Sequence, residues 1–371
     1  MKTIKHTLCA LAALCVASAA LPWSAEAALV GISMPSNERG RWLDDGNEMK
    51  MGLEAAGHQT ILAFAGANDV KLQQQQLDEM LDKGAQYLII SCVDNKSLGA
   101  QLNKAHQKGV KVIAYDRLLL DTEALDYYVS FDSVFVGKIM GRYIAGMLNL
   151  DESGEVPNIE FCQGSPVDQN ATYVWEGSMA ELQPYLDRQR LNCPSGETSL
   201  EQTNVMYWNR TKAYERMKKL IASQDYHPGK KRLDAVLAAS DGIAAGVIDA
   251  LREAGYDSSN MPIVVGQDCD KINVAMMIKG LQSMSVFKDT RELSLVAVSM
   301  VDALSKNLEV PLNDTEHYNN GKKVIPSYLL DPDIVTTESL KEVLFDTGYY
   351  DIEVFSDEEY LNKTVAAPEH K

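Results

Sequence analysis

The chain has 371 residues, of which 46% are hydrophobic and 23% charged, a composition typical of globular proteins and long enough for about two domains. Its formal net charge of −17 at pH 7 makes nucleic acid and anionic membrane surfaces poor partners. The six cysteines are too sparse for a disulfide framework and show no C-x-x-C spacing for zinc or redox chemistry.

The first 27 residues have the pattern of a secretory signal peptide. Lys2 and Lys5 precede an apolar run at 8–21, and a small-x-small signature follows at 25–27. The run is too short to span a membrane. No cysteine follows small residues at the cleavage point, so we expect no lipid anchor. Cleavage there would release a soluble chain into a bacterial periplasm.

After the cleavage point, short apolar runs alternate with segments of helical periodicity. The predicted strands, in chain order, are 28–34, 59–65, 86–92, 110–115, 127–132, 158–162, 190–193, 233–238, 262–267, 283–287 and 324–330. The predicted helices are 42–57, 72–84, 98–109, 135–150, 171–186, 211–223, 243–255, 272–279, 291–304 and a short one near 339–345. This alternation predicts an α/β fold with doubly wound sheets.

The two halves of the chain repeat one pattern. In each half an acid follows a strand, a helix ends at Gly, and a second acid follows the next strand: Asp94 and Asp116, then Asp241 and Asp268. Asp94 and Asp241 stand where they would cap the following helices. Asp116 and Asp268 have no helix directly after them to cap. Two similar domains with acids at facing strand ends predict a ligand cleft between them.

Polar and aromatic side chains recur where predicted strands end. Asp116 and Arg117 are sequence neighbours, and we expect them to neutralise each other while presenting paired hydrogen-bonding groups. Indole rings cover the apolar faces of a sugar ring, and Asp, Asn, Arg and Lys bond its hydroxyl rim. The candidate residues of this kind are Arg41, Trp42, Asp116, Arg117, Asp168, Asn170, Trp208, Asp268 and Lys288, with Asn209 and Gln267 adjacent to two of them.

Taken singly, these residues have simpler explanations. Asp116 and Arg117 fit a surface ion pair in a loop, and Lys288 fits a solvated lysine at a domain junction. Trp42 and Trp208 fit ordinary core or surface aromatics. Recurrence at strand ends in both halves favours a common site over these separate explanations.

The sequence carries no familiar catalytic or metal signature. It has no G-x-S-x-G elbow, no H-E-x-x-H and no P-loop. Pairing the acids with Arg and Lys would lower the pKa of the acids. An acid ionised in this way could not donate a proton as the general acid of a glycosidase does. We therefore expect neither an enzyme nor a cofactor or metal.

The cysteines outside the signal peptide are Cys92, Cys162, Cys193 and Cys269. Cys162 and Cys193 each follow a short apolar stretch, so adjacent strands would bring them together. A disulfide between them in an oxidising compartment is left open. Cys92 and Cys269 are expected to be buried thiols at strand ends.

The joint pattern resembles the periplasmic sugar-binding proteins of bacterial ABC importers, within them the xylose-binding and multiple-sugar-binding branch. The resemblance rests on 41–42 (RW), 112–117 (VIAYDR), 164–170 (GSPVDQN), 241–242 (DG), 266–268 (GQD), 287–289 (FKD) and 324–330 (VIPSYLL). It implies a type I periplasmic binding protein, in which two Rossmann-like lobes are joined by three crossings near 131–132, 287–289 and 326–329. The implied lobes are 28–131 plus 289–327, and 132–288 plus 328–371.

The resemblance also implies roles for the candidate residues. Trp42 and Trp208 would stack on a monosaccharide, and the seven charged or amide side chains among the candidates would bond its hydroxyls. Where xylose binders carry Asn, this chain has Ser240. The shorter side chain leaves space or a water, so a hexose or a broader range is compatible.

The implied function is delivery of an aldopentose or aldohexose to an ABC permease of the inner membrane, by hinge closure of a monomer. One alternative is a periplasmic sensor that presents bound sugar to a chemoreceptor or sensor kinase. A sugar-processing enzyme is a second alternative. A transcription regulator is a third, but a signal peptide occupies the place of its helix-turn-helix.

Overall fold

The computed structural model describes residues 27–38, 40–152 and 154–365. The predicted signal peptide lies outside them, apart from Ala27. Within these ranges no helix combines the length and the apolar character needed to cross a membrane.

Strands and helices alternate along the chain, as predicted. The strands are β1 (Leu29–Met34), β2 (Gln59–Phe64), β3 (Tyr87–Ile90), β4 (Lys111–Tyr115), β5 (Tyr127–Phe131), β6 (Ile159–Cys162), β7 (Ala235–Ala238), β8 (Ile263–Gln267), β9 (Met284–Phe287), β10 (Ser327–Leu330) and β11 (Asp333–Val335). The α-helices are α1 (Gly40–Ala55), α2 (Val70–Asp82), α3 (Gly99–Gln107), α4 (Ser133–Met147), α5 (Gln169–Asp187), α6 (Leu200–Thr203), α7 (Arg210–Gln224), α8 (Asp241–Glu253), α9 (Lys271–Ile278), α10 (Thr290–Ser305), α11 (Ile352–Ser356) and α12 (Glu358–Thr364).

Two sheets organise these elements. The first has six parallel strands in the order β10-β5-β4-β3-β1-β2. The second has the order β11-β9-β8-β7-β6, parallel except for β11. Separate hydrophobic clusters fill the two faces of the first sheet, and a third cluster surrounds the second sheet. Helices therefore cover both faces of each sheet, which confirms the doubly wound α/β fold.

The chain crosses between the sheets three times. The first crossing lies between β5 and α4, and the second lies between β9 and α10, as predicted. The third was predicted near 326–329, but β10 still pairs with β5, and β11 pairs with β9. The third crossing therefore lies at 331–332. The parallel register of Ser327–Leu330 on β5 explains the shift, because this apolar strand completes the edge of the first sheet.

One further prediction from the sequence is wrong. Segment 190–193 forms no strand: Asn192 makes a single bridge to Asn158, and Pro194 then removes the N–H that a ladder needs. The short helix predicted near 339–345 is present, as a π-helix at Lys341–Phe345. The short elements α6, α11 and α12 and a 3-10 turn at Met206–Trp208 were not predicted, because they are too short to show a period.

Neither of the two aspartates that were predicted to cap helices does so. Asp94 accepts a hydrogen bond from the amide of Lys96, inside a turn that precedes α3. Asp241 is the first residue of α8, and Ser240 is the cap. The buried Asp241 carboxylate instead accepts bonds from Ser285 Oγ and from the amide of Asp270. It ties the start of α8 to the rest of the second sheet's domain.

Two glycines bring α4 and α5 into close contact. A Cβ at Gly137 would overlap the carbonyl oxygen of Val174, and one at Gly177 would overlap that of Val134. The helices therefore pack backbone against backbone. Their N-termini, which carry the site residues described below, are fixed beside each other.

Candidate functional site

One cavity lies between the carboxyl ends of the two sheets. All ten predicted site residues line it, together with two more: Arg41, Trp42, Asp116, Arg117, Ser133, Asp168, Asn170, Trp208, Ser240, Gln267, Asp268 and Lys288. A larger surface groove beside α8 and α12 contains none of them. The structure thus gathers residues that are up to 247 positions apart, from Arg41 to Lys288, into one polar, largely buried cleft.

Arg41 in the first turn of α1 connects the two walls of the cleft. One of its terminal nitrogens pairs with Asp116 at the end of β4, and the other lies 3.4 Å from Asp268 Oδ1 at the end of β8. Burial acts to raise the pKa of Asp116, but Arg41 and Lys288 outweigh it and hold that pKa below its ordinary value. Asp116 is therefore an ionised acceptor.

Asp116 and Arg117 do not pair with each other, contrary to the expectation from their adjacency. Arg117 Nε lies 3.0 Å from Asp168 Oδ2, across the cleft, and its Nη1 donates to the carbonyl oxygen of Cys92 at 2.9 Å. Asp116 adopts a left-handed φ of 61°, so the two side chains leave the backbone in different directions. Each is neutralised by a distant partner.

The two strand-end acids are structural counterparts, as their sequence pattern predicts. Asp116 and Asp268 both have positive φ, at 61° and 102°. The amide of each donates at 2.8 Å to a carbonyl oxygen of the neighbouring strand, Val129 and Val286 respectively. Aspartate tolerates this region of φ better than most side chains. The two carboxylates consequently face one another through Arg41.

Lys288 completes the charge pattern at the second crossing. Its Nζ lies 2.7 Å from Asp268 Oδ1, and its side chain is largely buried. Asp268 therefore sits between Lys288 and Arg41. Alternation of acids and bases makes the burial of so many charges tolerable, because each keeps an opposite charge within contact distance.

Asn170, near the start of α5, bonds the opposite wall. Its Nδ2 donates to the main-chain oxygen of Asp116 at 2.8 Å, and its Oδ1 accepts from Ser133 Oγ at 3.1 Å. Asp168 caps α5 through the amide of Asn170 and accepts from Trp208 Nε1 at 3.1 Å. Burial raises the pKa of Asp168, although Arg117 acts in the opposite direction.

The two indoles are buried at the cleft. The guanidinium carbons of Arg41 and Arg117 lie 4.6 and 5.1 Å from the centre of the Trp42 ring. The Trp208 ring is seated against Gly164, where a Cβ would overlap it. Trp208 is the last residue of the 3-10 turn, in which it and Tyr207 both have a left-handed φ, and Asn209 caps α7. Glycine at 164 is therefore a requirement for the position of this indole.

The remaining lining residues have structural bonds as well. Ser240 Oγ caps α8 by accepting from the amide of Ile243 at 3.4 Å, and Gln267 Nε2 donates to the oxygen of Ala239 at 2.6 Å. Ser133 was not predicted as a site residue, because a serine at the start of a helix is an ordinary feature of sequences. Its position after a strand end was the one available signal.

The four cysteines in the described part of the chain are free thiols. The disulfide left open between Cys162 and Cys193 is therefore not formed. Cys193 lies beside Ser195 and the buried Glu160 of β6. No group of three or more His, Cys, Asp or Glu able to hold a metal occurs among the described residues.

Comparison with known proteins places these features in a family. Residues 30–309 match the model of the periplasmic binding protein domain. The multiple sugar-binding periplasmic protein SbpA of Azospirillum brasilense is 41% identical over 86% of this chain and 89% of its own. The multiple sugar-binding periplasmic receptor ChvE of Rhizobium radiobacter is 39% identical over 94% of this chain and 98% of its own.

A solved structure agrees with these relatives. An ABC transporter solute-binding protein from Clostridium phytofermentans, with bound β-D-glucose, superposes with a TM-score of 0.84. It is 41% identical, and the match covers 90% of this chain and 99% of that one. The chain belongs to the periplasmic binding protein family.

Proposed function

We propose that this protein binds one aldopentose or aldohexose in the cleft and delivers it to an ABC importer. The observation that carries the proposal is the cavity itself, in which three carboxylates, three cations and two indoles converge from both lobes. Indole faces match the apolar faces of a pyranose, and the charged groups match its hydroxyls. Hydrogen bonds to charged groups contribute about 1.5–3 kcal/mol each, enough to select one epimer.

The proposed site residues are the ten predicted ones. Trp42 and Trp208 stack on the ring, Ser240 leaves room at its edge, and the seven others bond hydroxyls. We propose lobes of 28–131 plus 289–330 and 132–288 plus 331–365, which follow the sheet topology. The names of the two curated relatives and the glucose in the solved structure support a monosaccharide ligand.

Closure of the lobes is the proposed mechanism. Contacts between the lobes include Arg41 with Asp268, Arg117 with Asp168, and Asn170 with the main chain of Asp116. An open cleft would expose these groups to water. Sugar hydroxyls can replace that water as donors and acceptors, so a bound sugar would stabilise the closed form. The permease would then recognise the closed shape, which bound sugar makes the predominant one.

Further parts of the proposal concern location and partners. The periplasmic names of the relatives support a periplasmic location, and the signal-peptide pattern at 1–27 supports export. We propose binding without chemistry, because each acid of the cleft has a cation within contact distance. A monomeric state and a chemoreceptor or sensor kinase as an additional partner stay predictions.

A thermal-shift screen of pentoses and hexoses tests the proposal. A ligand at about 100 times its dissociation constant should stabilise the protein by about 2.7 kcal/mol. We expect at least one monosaccharide to raise the melting temperature, and a sugar alcohol of the same carbon number, which lacks the ring, to have a smaller effect. A screen in which no monosaccharide changes the melting temperature would refute the sugar-binding function.

A further inference from the structure

Asp45 is a buried carboxylate directly beneath the site. It lies one helical turn after Arg41 in α1, with its Oδ2 3.5 Å from Arg41 Nε, and its side chain is 0% exposed. Within the part of the chain that the structure describes, neither of its oxygens accepts a hydrogen bond of good geometry. The hydroxyls of Tyr115 and Thr290 lie close enough to lower the pKa of Asp45, but burial outweighs them. It caps no helix and does not line the cavity. Its burial therefore requires another explanation.

The groups that face Asp45 come from four elements. Arg41 lies on its own helix, Tyr115 and Asp116 lie at the end of β4, Thr290 begins α10, and Tyr349 belongs to the C-terminal segment. Arg41 is its ion-pair partner, but Arg41 also serves two other carboxylates at the cleft. Asp45 thus shares one cation with both strand-end acids.

The charges of the closed cleft do not balance. Among the groups that line the cavity or contact Arg41, four buried carboxylates meet three buried cations: Asp45, Asp116, Asp168 and Asp268, against Arg41, Arg117 and Lys288. A buried charge without its own partner is costly, and such a group binds a proton instead. A count of one excess negative charge therefore calls for one proton in the closed cleft.

Asp45 is the acid best placed to hold that proton. Asp116, Asp168 and Asp268 each have closer contacts with cations than Asp45 has. Burial raises the pKa of Asp45 to about 7, with Arg41 acting in the opposite direction and Asp116 in the same direction. Burial also raises the pKa of Asp168, but Asp168 keeps two N–H donors in addition to Arg117.

We propose that Asp45 is the positioning residue for Arg41 and that it carries a proton in the closed, sugar-bound state, so that sugar binding takes up a proton. The inference rests on the proposed sugar-binding function. When Asp45 is neutral, the positive charge of Arg41 interacts with Asp116, Asp268 and the sugar hydroxyls alone. An ionised Asp45 competes for Arg41 and adds an unbalanced charge beside the ligand.

The sign of the pH effect follows from linkage. Opening the cleft admits water to Arg41 and its partners, which lowers the pKa of Asp45 toward its ordinary value. At any pH between the pKa of Asp45 in the open form and its pKa in the closed form, the closed form then holds more protons than the open form. Sugar affinity is therefore highest at low pH, falls by up to about tenfold per pH unit as pH rises toward 7, and levels off above about 7.

Calorimetric titration with D-glucose, or with the best sugar of the screen, measures the proton directly. Titrations at pH 6 in buffers of different ionisation enthalpy should show uptake of a substantial fraction of one proton per sugar bound. Binding without proton exchange, or with proton release, would overturn the inference and leave the proposed function intact. Failure of the wild type to bind any monosaccharide would overturn both.

The variant Asp45→Asn separates a protonated Asp45 from an ionised counter-ion. Asn resembles the protonated acid, so the variant should bind, at every pH and without proton uptake, at least as tightly as the wild type binds at pH 5.5. The control Asp44→Asn changes the same charge at an exposed neighbour and should keep the wild-type pH profile. A loss of more than tenfold in Asp45→Asn at pH 5.5, with an unchanged melting temperature, would show that the ionised carboxylate is required.

Discussion

Arg41 Nη1 and Asp268 Oδ1 lie 3.4 Å apart, although one begins α1 of the first lobe and the other ends β8 of the second. The same guanidinium also pairs with Asp116, the counterpart of Asp268 in the first lobe. One side chain therefore joins two related strand ends across the cleft. This contact can form only when the lobes are together. The charge pattern of the site is therefore complete only in the closed geometry.

Arg117→Ala should abolish most sugar binding. The substitution removes a cation that neutralises Asp168 across the cleft and leaves that buried carboxylate with its two N–H donors alone. One lost charged contact corresponds to about 1.5–3 kcal/mol, or roughly a 10- to 150-fold weaker affinity. Equilibrium titration with the best sugar measures the change.

Lys96→Ala is the matched control for this variant. Lys96 pairs with Asp121 at the surface, where its side chain is 61% exposed. Surface pairs contribute little, so affinity and stability should stay at wild-type values. If Arg117→Ala bound sugar as tightly as Lys96→Ala, the guanidinium would have no part in the site.

Gly164→Ala should displace the indole of Trp208. A Cβ at this position would overlap the ring, which rests directly on the glycine. Overpacking of this kind costs about 1–3 kcal/mol of stability, and we expect affinity to fall with it, because Trp208 lines the cavity. Thermal unfolding and sugar titration, performed on the same sample, measure both effects.

Gly146→Ala provides the comparison for that substitution. Gly146 lies in α4, and no atom stands within 4 Å of the place its Cβ would take. Alanine is about 0.5–1 kcal/mol better than glycine inside a helix, so this variant should be as stable as the wild type or more so. If Gly164→Ala and Gly146→Ala had the same stability and the same sugar affinity, the close contact between Gly164 and Trp208 would contribute nothing to either.

The thiols should be free and slow to react. Burial raises the pKa of Cys193 to about 11 and that of Cys162 to about 11, so the thiolate form is scarce at pH 8. The native protein should react slowly with a disulfide reagent, and after denaturation each thiol should titrate. A melting temperature that falls when a reductant is added would reveal a disulfide and contradict the free-thiol structure.

The fold was largely predictable because its signals are local. Each buried parallel strand is an apolar run, and five of the helices (α1, α2, α3, α8 and α9) end at a glycine, so the alternation is visible without any contact information. Elements shorter than about two turns carry no period, which is why α6, α11 and α12 were missed. The third crossing was misplaced because the sequence does not show with which sheet Ser327–Leu330 pairs.

The residues that line the cavity were predictable from their place at strand ends, but their pairing was not. Adjacency suggested a pair between Asp116 and Arg117, yet backbone geometry at Asp116 separates them. Asp45 was missed, because an acid four residues after Arg41 looks like an ordinary helix-surface pair. Its complete burial arises from packing of α1 against α10 and β4, which the sequence does not display.

The most direct test of the sugar-binding cleft is a calorimetric titration of D-glucose and D-xylose into the wild type and into Asp268→Ala. Asp268 contacts both Arg41 and Lys288, so its removal leaves two cations without that carboxylate. The predicted result is saturable binding of one sugar per chain by the wild type and at least tenfold weaker binding by a folded variant. Equal affinities in the two proteins would contradict the proposed site.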